Sequence, residues 1–168
     1  MKKYFIIVVV LVFGAIKGTY AQSEKFQALF IYNFTRYIEW PANGSQDFVI
    51  GVVGRSSVYD ELVAIANGKR VGSQSIVVKH FANAGEVSSC QILFVSSEVS
   101  PKVAEIAPGL QSKNTLIITD RPGLTAKGSG INFVVDDGKQ KFELSRNNIQ
   151  KSGLKVNTQL TDMAMLTD

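Results

Sequence analysis

The segment GVVGRSS, residues 51–57, holds the residue types best suited to binding an anion. Its last four residues, Gly54, Arg55, Ser56 and Ser57, fall where a predicted strand passes into a predicted helix. Backbone N–H groups at the start of a helix attract phosphate or carboxylate groups. The segment lacks the lysine of a P-loop and the G-x-G-x-x-G spacing. An anion site is therefore one hypothesis, and a plain strand-to-helix turn is the other.

A second glycine-rich stretch, GLTAKGSG at 123–130, carries one lysine and is a further candidate for binding a ligand. Its alternative is a mobile loop without a binding role. If either segment binds a ligand, the chain is a binding module for a small molecule. Stabilisation of the protein in a thermal-shift screen against nucleotides and carboxylates would support that function.

Residues for catalysis are scarce. His80 is the only histidine and Cys90 the only cysteine, so a Ser-His-Asp or Cys-His arrangement would have to be built around His80. Metal sites need several converging His, Cys or carboxylate side chains, and the Asp136-Asp137 pair is explained by a hairpin tip. We predict no enzyme activity, no metal and no cofactor. Cys90 has no mate for a disulfide, and its strand-like setting predicts a small buried hydrophobic residue.

The N-terminus is typical of a secretory signal peptide. Lys2 and Lys3 precede a short apolar run, and small residues occupy Thr19 and Ala21, the positions that a signal peptidase recognises. We predict a leader at 1–21 that is cleaved after Ala21, and a periplasmic protein. An uncleaved membrane anchor is the alternative, but the run is shorter than the roughly 20 apolar residues that a span requires.

Loss of the leader changes the charge balance. The whole chain has 18 basic and 14 acidic residues, and removal of Lys2, Lys3 and Lys17 leaves 15 against 14. No basic run is longer than Lys69-Arg70, whereas nucleic-acid binding requires clustered Lys and Arg. The composition thus disfavours a nucleic-acid partner.

The first element after the leader is predicted to be a helix over 24–39. Pro41 ends it, because the residue before a proline is pushed out of helical geometry. At helical spacing one wide apolar arc appears, which predicts that the helix is largely buried. The arc consists of Phe26, Leu29, Phe30, Ile31, Phe34, Tyr37, Ile38 and Trp40. The polar side holds Tyr32, Thr35 and Arg36.

Strands and helices alternate along the rest of the chain. Apolar β-branched runs predict strands at 48–54, 73–81, 90–97 and 115–120, with helices at 56–67 and 101–110. Ser57 and Asp60 are spaced as a capping pair, and Gly68 is placed as a C-terminal cap. The segment 131–145 alternates on both sides of Asp137-Gly138, which predicts a β-hairpin. The tail from Arg146 has a helical pattern.

Together these elements predict one α/β domain over 22–168. Its layers are a mixed, partly parallel sheet with helices on both faces, and a C-terminal hairpin followed by a helix. The 168 residues suffice for a sizeable hydrophobic core.

An ordered set of segments resembles the YfiR-like family of small exported bacterial proteins, over nearly the whole chain after the leader. The most specific are the Asn-Phe…Trp-Pro stretch and the Cys-x-Ile-Leu-Phe strand. In order, the segments are ALFIYNFTRYIEWP, FVIGVVG, CQILFVSS, TLIITD, GSGINFVVDDGKQKFELS and GLKVNTQL. The family pattern usually has Cys-His where this chain has Cys90-Gln91. Members often pair cysteines in disulfides, and these are not expected here because Cys90 has no mate.

The resemblance implies a periplasmic regulator that binds and represses the periplasmic sensor domain of a membrane-bound diguanylate cyclase or similar signalling protein. Such repression lowers cyclic di-GMP and restrains biofilm formation. The resemblance also implies an α/β fold and a homodimer that does not itself span the membrane after leader removal.

Three residues of the first helix are candidates for contacting the partner. Tyr32 and Arg36 lie one turn apart on its polar side. The side chain of Trp40 is predicted to lie mostly in the hydrophobic core. The alternative is that it anchors an interface, because tryptophan is enriched at binding hot spots.

Overall fold

The computed structural model of the protein describes residues 22–168. The predicted leader and its cleavage site lie outside this range. The helices are α1 (22–34), α2 (Val58–Ala66), α3 (Val103–Gln111), α4 (Arg146–Lys151) and α5 (Thr158–Met163). The strands are β1 (Ile38–Glu39), β2 (Asp47–Val53), β3 (Arg70–Val71), β4 (Gln74–Phe81), β5 (Ile92–Val95), β6 (Leu116–Thr119), β7 (Ile131–Asp136), β8 (Lys139–Leu144), β9 (Lys155–Val156) and β10 (Met165–Leu166). None of the helices in this range is long and apolar enough to cross a membrane.

The centre of the fold is an eight-stranded sheet with the order β10-β8-β7-β6-β5-β2-β4-β3. Strands β4, β2, β5, β6 and β7 are parallel to one another. Strand β3 pairs antiparallel with β4, β8 pairs antiparallel with β7, and β10 pairs parallel with β8. Numbered by their sequence order, the five parallel strands run 2-1-3-4-5, which is the order of doubly wound flavodoxin-like sheets. The predicted mixed α/β fold is confirmed.

The sheet is covered by helices on both faces. Along β2, Val52 belongs to a core cluster with Ile31 of α1 and Leu62 of α2, whereas Val53 belongs to a second cluster with Val103 of α3. All of these side chains are fully buried. Burial on both faces explains why the parallel strands are continuous apolar runs rather than alternating ones.

The predicted hairpin is present as β7 and β8. Asp137 and Gly138 form its turn with φ values of 48° and 70°. Positive φ at both central positions identifies a type I′ turn, whose twist matches that of the flanking strands.

An aromatic cluster joins α1 to this hairpin. The rings of Phe34 and Phe142 meet edge to face with centroids 5.3 Å apart, and Phe34 also stacks on Phe133 at 6.1 Å. Phe30 lies 5.7 Å from Phe142, and Phe26 lies 6.2 Å from Phe133. The N-terminal helix is therefore held largely by residues from the last third of the chain.

The prediction that the first helix runs to residue 39 is wrong. It ends at 34, and a turn at 35–37 leads into β1, which pairs antiparallel with β9. Thr35 Oγ1 donates to the carbonyl of Tyr32 at 2.7 Å, a local bond that competes with continued helix. Pairing of Ile38 with Val156 then holds the chain extended three residues before Pro41.

The face of α1 that packs on the sheet is also rotated from the predicted one. Leu29 was predicted on the buried arc but is 47 % exposed, and Thr35 was predicted on the polar side but is buried. Gln27 and Ala28 are buried as well. The side chains of Phe26 and Phe30 are only partly buried, because they cover the hairpin from the rim of the cluster.

Two smaller predictions need correction. Ser57 occupies the N-cap of α2 without a side-chain cap bond, and the hydroxyl of Ser56 accepts from the backbone N–H of Val58 at 3.2 Å instead. The tail from Arg146 holds α4 and α5, but β9 and β10 separate and follow them. The C-terminal part is thus only partly helical.

Candidate functional site

A cleft of about 690 Å³ opens at the carboxyl edge of the parallel sheet. Ser56, Ser97 and Asp120, which follow β2, β5 and β6, line its floor, and the first turns of α1 form one wall. Within the sheet, β2 is followed by β4 on one side, whereas β5 is followed by β6 on the other side. The direction in which successive strands are added therefore reverses between β2 and β5. Such a reversal point is where open α/β sheets bind ligands.

Gly54 brings the ends of β2 and β5 into close contact beside this cleft. It has φ +79°, and a Cβ at this position would lie 2.3 Å from Ser96 Oγ and 2.7 Å from Val99 Cγ2. Its N–H donates to the carbonyl of Phe81 at 2.9 Å, and its own carbonyl lies 3.0 Å from Nε2 of His80. The glycine is therefore explained by backbone geometry and packing, and His80 by its contact with the turn.

The four residues predicted as an anion site are not brought to one concave surface. Arg55 pairs with Glu98 at 3.2 Å, and both side chains are largely exposed. Ser56 faces the cleft, whereas Ser57 caps α2 by its backbone position. Space above Gly54 is occupied by Ser96 and Val99. The anion site stays a prediction, and the charge of the adjoining cleft works against it.

The cleft wall is acidic. Glu24, Asp120, Asp136 and Glu143 line it, and no Lys or Arg of residues 22–168 does. Burial raises the pKa of Asp120. The hydrogen bond from Ser97 Oγ at 3.0 Å and the charge of Arg121 oppose that rise, and the charge of Glu24 adds to it. The ionised form of Asp120 is thus disfavoured, and a cation in the cleft would stabilise it.

Other walls of the cleft are apolar or carry amides. Phe133, Val135 and Met165 form an apolar side, on which Val135 is 65 % exposed. Gln27 and Gln140 supply the amides, and Gln140 Nε2 donates to Ser23 Oγ at 2.9 Å, tying β8 to the start of α1. The sequence signal for this cleft was Asp120 at the end of a predicted strand, and it was missed.

Tyr32 and Arg36 do lie together at the surface. Arg36 Nη2 donates to the hydroxyl of Tyr32 at 3.3 Å, and its guanidinium carbon is 5.4 Å from the ring centroid. Lys25 and the exposed Leu29 continue this row along α1, at helical spacing. We call Lys25, Leu29, Tyr32 and Arg36 the α1 stripe. Sequence reasoning missed Leu29, because it was counted in the buried apolar arc.

Trp40 is anchored elsewhere, beside the start of β5. Its Nε1 donates to the carbonyl of Gln91 at 3.0 Å, and its ring meets Phe48 edge to face at 5.0 Å. Gln91 in turn accepts from the N–H of Val49 through Oε1 at 2.6 Å. Trp40 is half-buried, and these contacts favour a structural role for its side chain, while its role as an interface anchor stays a prediction.

The glycine-rich loop at 123–130 is tied to the fold. Asn148 Nδ2 donates to the carbonyls of Thr125 and Ser129, at 2.7 and 2.9 Å, and Ser129 is fully buried. Leu124 is also buried, within the cluster under α3. These contacts favour a structural role for the loop over a ligand-binding one.

Cys90 is buried, as predicted, and burial raises the pKa of its thiol to about 12. Within residues 22–168 no three His, Cys, Asp or Glu side chains are grouped to hold a metal ion. Neither observation supplies a nucleophile or a metal for catalysis in the part of the chain that the structure describes.

Comparison with known proteins assigns the chain to a family. No curated protein matches it significantly. A family model described as YfiR/HmsC-like matches residues 24–165, from the third residue of α1 to the first residue of β10. The match includes the α1 stripe and all the residues that line the acidic cleft except Ser23. The chain therefore belongs to the YfiR/HmsC-like family.

Proposed function

We propose that the protein is an exported regulator that binds the periplasmic sensor domain of a membrane-bound diguanylate cyclase, or of a similar signalling protein, and represses it. Family membership over residues 24–165 carries this proposal, because the family is one of periplasmic regulators of such cyclases. The protein acts by binding and makes or breaks no covalent bond. Its output is a lower level of cyclic di-GMP.

The α1 stripe is the proposed docking surface. It offers an exposed apolar side chain, Leu29, between the charged ends Lys25 and Arg36, with the ring of Tyr32 beside it. Tyr and Arg are enriched among residues that dominate binding energy. Trp40 is left out of this proposed surface, because its contacts with Gln91 and Phe48 support a role in fixing the chain after α1.

Repression works as a population shift. A regulator that binds the inactive form of the sensor more tightly than the active form favours the inactive form by that difference in affinity. A hundredfold preference corresponds to about 2.7 kcal/mol, since each tenfold is about 1.4 kcal/mol. That suffices to turn an evenly balanced sensor almost completely off.

The test replaces one exposed apolar residue on each of two helices. Leu29 is 47 % exposed on α1, and Val63 is 43 % exposed on α2, so Val63→Asp is the matched control for Leu29→Asp. Deletion of the gene should raise cyclic di-GMP. Val63→Asp should restore repression and Leu29→Asp should not, with equal melting temperatures for the two variants.

Binding to the purified sensor domain gives the second measurement. Leu29→Asp and the double variant Tyr32→Ala, Arg36→Ala should each weaken binding at least tenfold. Unchanged cyclic di-GMP after deletion would refute the function. Repression by Leu29→Asp equal to that by Val63→Asp would refute the surface alone.

Export and dimer formation complete the proposal. Recovery of the protein from the periplasm with Gln22 as its first residue would support cleavage after Ala21. Light scattering of the purified protein should give twice the mass of one chain. A monomer at all concentrations would contradict the homodimer.

A further inference from the structure

The acidic cleft holds more negative charge than its surroundings neutralise. Of its four carboxylates, only Asp136 pairs with a cation among the described residues, Lys141 at 2.5 Å. Asp120 accepts a bond from the neutral Ser97, and Glu143 accepts from the amide of Asn132 at 2.8 Å. Glu24, Asp120 and Glu143 thus face the cleft without a salt bridge to any of residues 22–168, although the charge of Arg121, which does not line the cleft, also acts on Asp120.

Gln27 provides a second observation, independent of the charges. It is only 7 % exposed and lines the cleft, yet its amide forms no hydrogen bond with any other described residue. Among the described residues Ser96 Oγ is the fully buried side-chain polar atom without a partner, so the Gln27 amide is not cut off from the cleft. The amide is therefore available to a group that enters the cleft, and its oxygen can accept an N–H.

The shape of the cleft limits the size of its occupant. About 690 Å³ lies within the roughly 300–1,000 Å³ of small-molecule sites, which combine apolar walls with a few polar groups. Phe133, Val135 and Met165 supply the apolar wall. An occupant that satisfies both walls carries a positive charge at one end and an apolar group at the other.

We propose that the cleft binds a free, small organic amine. Its ammonium group lies between Glu24 and Asp120 and donates to the amide oxygen of Gln27, and its apolar part packs on Phe133 and Val135. The site is separate from the α1 stripe, because Glu24 and Gln27 lie on another face of α1. The proposal does not depend on the repressor function, and it is measured on the purified protein alone.

Three probes of nearly the same shape but different charge test whether binding requires a positive charge on the ligand. Calorimetry is carried out with phenethylamine, 2-phenylethanol and phenylacetate, which are cationic, neutral and anionic. We expect saturable binding of phenethylamine, at least tenfold weaker binding of 2-phenylethanol, and none of phenylacetate. Phenethylamine should also bind more weakly as NaCl is added, since salt screens the carboxylates.

Variants locate the binding. Glu24→Gln with Asp120→Asn should weaken phenethylamine binding at least tenfold. The control Glu105→Gln with Asp162→Asn also removes two charges, from exposed positions outside the cleft, and should leave binding unchanged. Gln27→Leu should weaken phenethylamine by several fold and tests the cleft even if the charge variant fails to fold.

Several results would overturn the proposal. These are absence of saturable phenethylamine binding, equal binding by the charge variant and its control, or preferred binding of phenylacetate. Tighter binding of Nα-acetyl-lysine amide, whose side-chain ammonium is free, than of phenethylamine would assign the cleft to a protein side chain rather than a free amine. Loss of repression with amine binding intact would leave this proposal standing and count against the proposed function only.

Discussion

Gly54→Ala tests whether the ends of β2 and β5 must approach as closely as they do. The new Cβ would lie 2.3 Å from Ser96 Oγ and 2.7 Å from Val99 Cγ2, at φ +79°. Left-handed backbone costs a non-glycine residue about 1–2 kcal/mol. Overpacking adds about 1–3 kcal/mol. We expect the free energy of unfolding to fall by about 2–5 kcal/mol.

Gly68→Ala is the matched control, because Gly68 also has positive φ, +68°, but nothing lies within 4 Å of its Cβ position. Its free energy of unfolding should fall only by the contribution of the left-handed backbone, about 1–2 kcal/mol. Urea unfolding followed by circular dichroism gives both values. Thermal unfolding should show the same order, at about 2–4 °C per kcal/mol for a chain of this size.

A double variant separates the two sources of the loss. Gly54→Ala combined with Ser96→Ala removes the nearer clash, so it should recover part of the stability, while Val99 and the backbone strain remain. Ser96→Ala alone should cost little, because the buried Ser96 hydroxyl forms no hydrogen bond. Equal losses for Gly54→Ala and Gly68→Ala would refute the packing argument.

Three further outcomes are expected. Asp168 accepts bonds from Ser145 and from two backbone N–H groups of α4, so Asp168→Ala should cost about 0.5–2 kcal/mol in urea unfolding at pH 7. Burial opposes ionisation of Asp168, but these bonds outweigh it and lower its pKa. The stability that the ionised Asp168 contributes is therefore fully present above pH 3.8, the ordinary value, and is lost as the pH falls through the lowered pKa. For Asp120 the effect of pH is opposite, because burial raises its pKa. The free energy of unfolding of Asp120→Asn should therefore rise relative to that of the wild type as the pH rises above 3.8. A difference in stability that does not change with pH would contradict this. The Cys90 thiol, with a pKa of about 12, should react with a thiol reagent at pH 8 only after unfolding.

The parallel strands and the hairpin could be predicted because their signals are local. Apolar runs such as 48–54 specify strands covered on both faces, and Asp137-Gly138 specifies a turn by its own backbone preference. The end of α1 could not be predicted in the same way. Its last turn yields to pairing between Ile38 and Val156, a contact 118 positions apart that no window of sequence contains.

The candidate site was less predictable than the fold. Glu24 and Gln27 come from α1 and Asp120 directly follows β6, and only the order of the strands brings them to one cleft. Leu29 differs from its buried neighbours only in the rotation of α1, which the packing of Phe34 on the hairpin decides. Tyr32 and Arg36 were found because their spacing alone places them side by side.

Packing of α1 against the hairpin also constrains the order in which the protein can fold. Ser23 bonds to Gln140, a partner 117 positions later, and the phenylalanines of α1 rest on Phe133 and Phe142. Ile31 of α1 can pack with Val52 and Leu62 once β2 and α2 are in place, but the phenylalanines of α1 have no rings of the hairpin to pack on until β7 and β8 have formed. Contacts between such distant positions slow folding, because a long loop must close before they form. The contacts between α1 and the hairpin are therefore expected to be among the last to form.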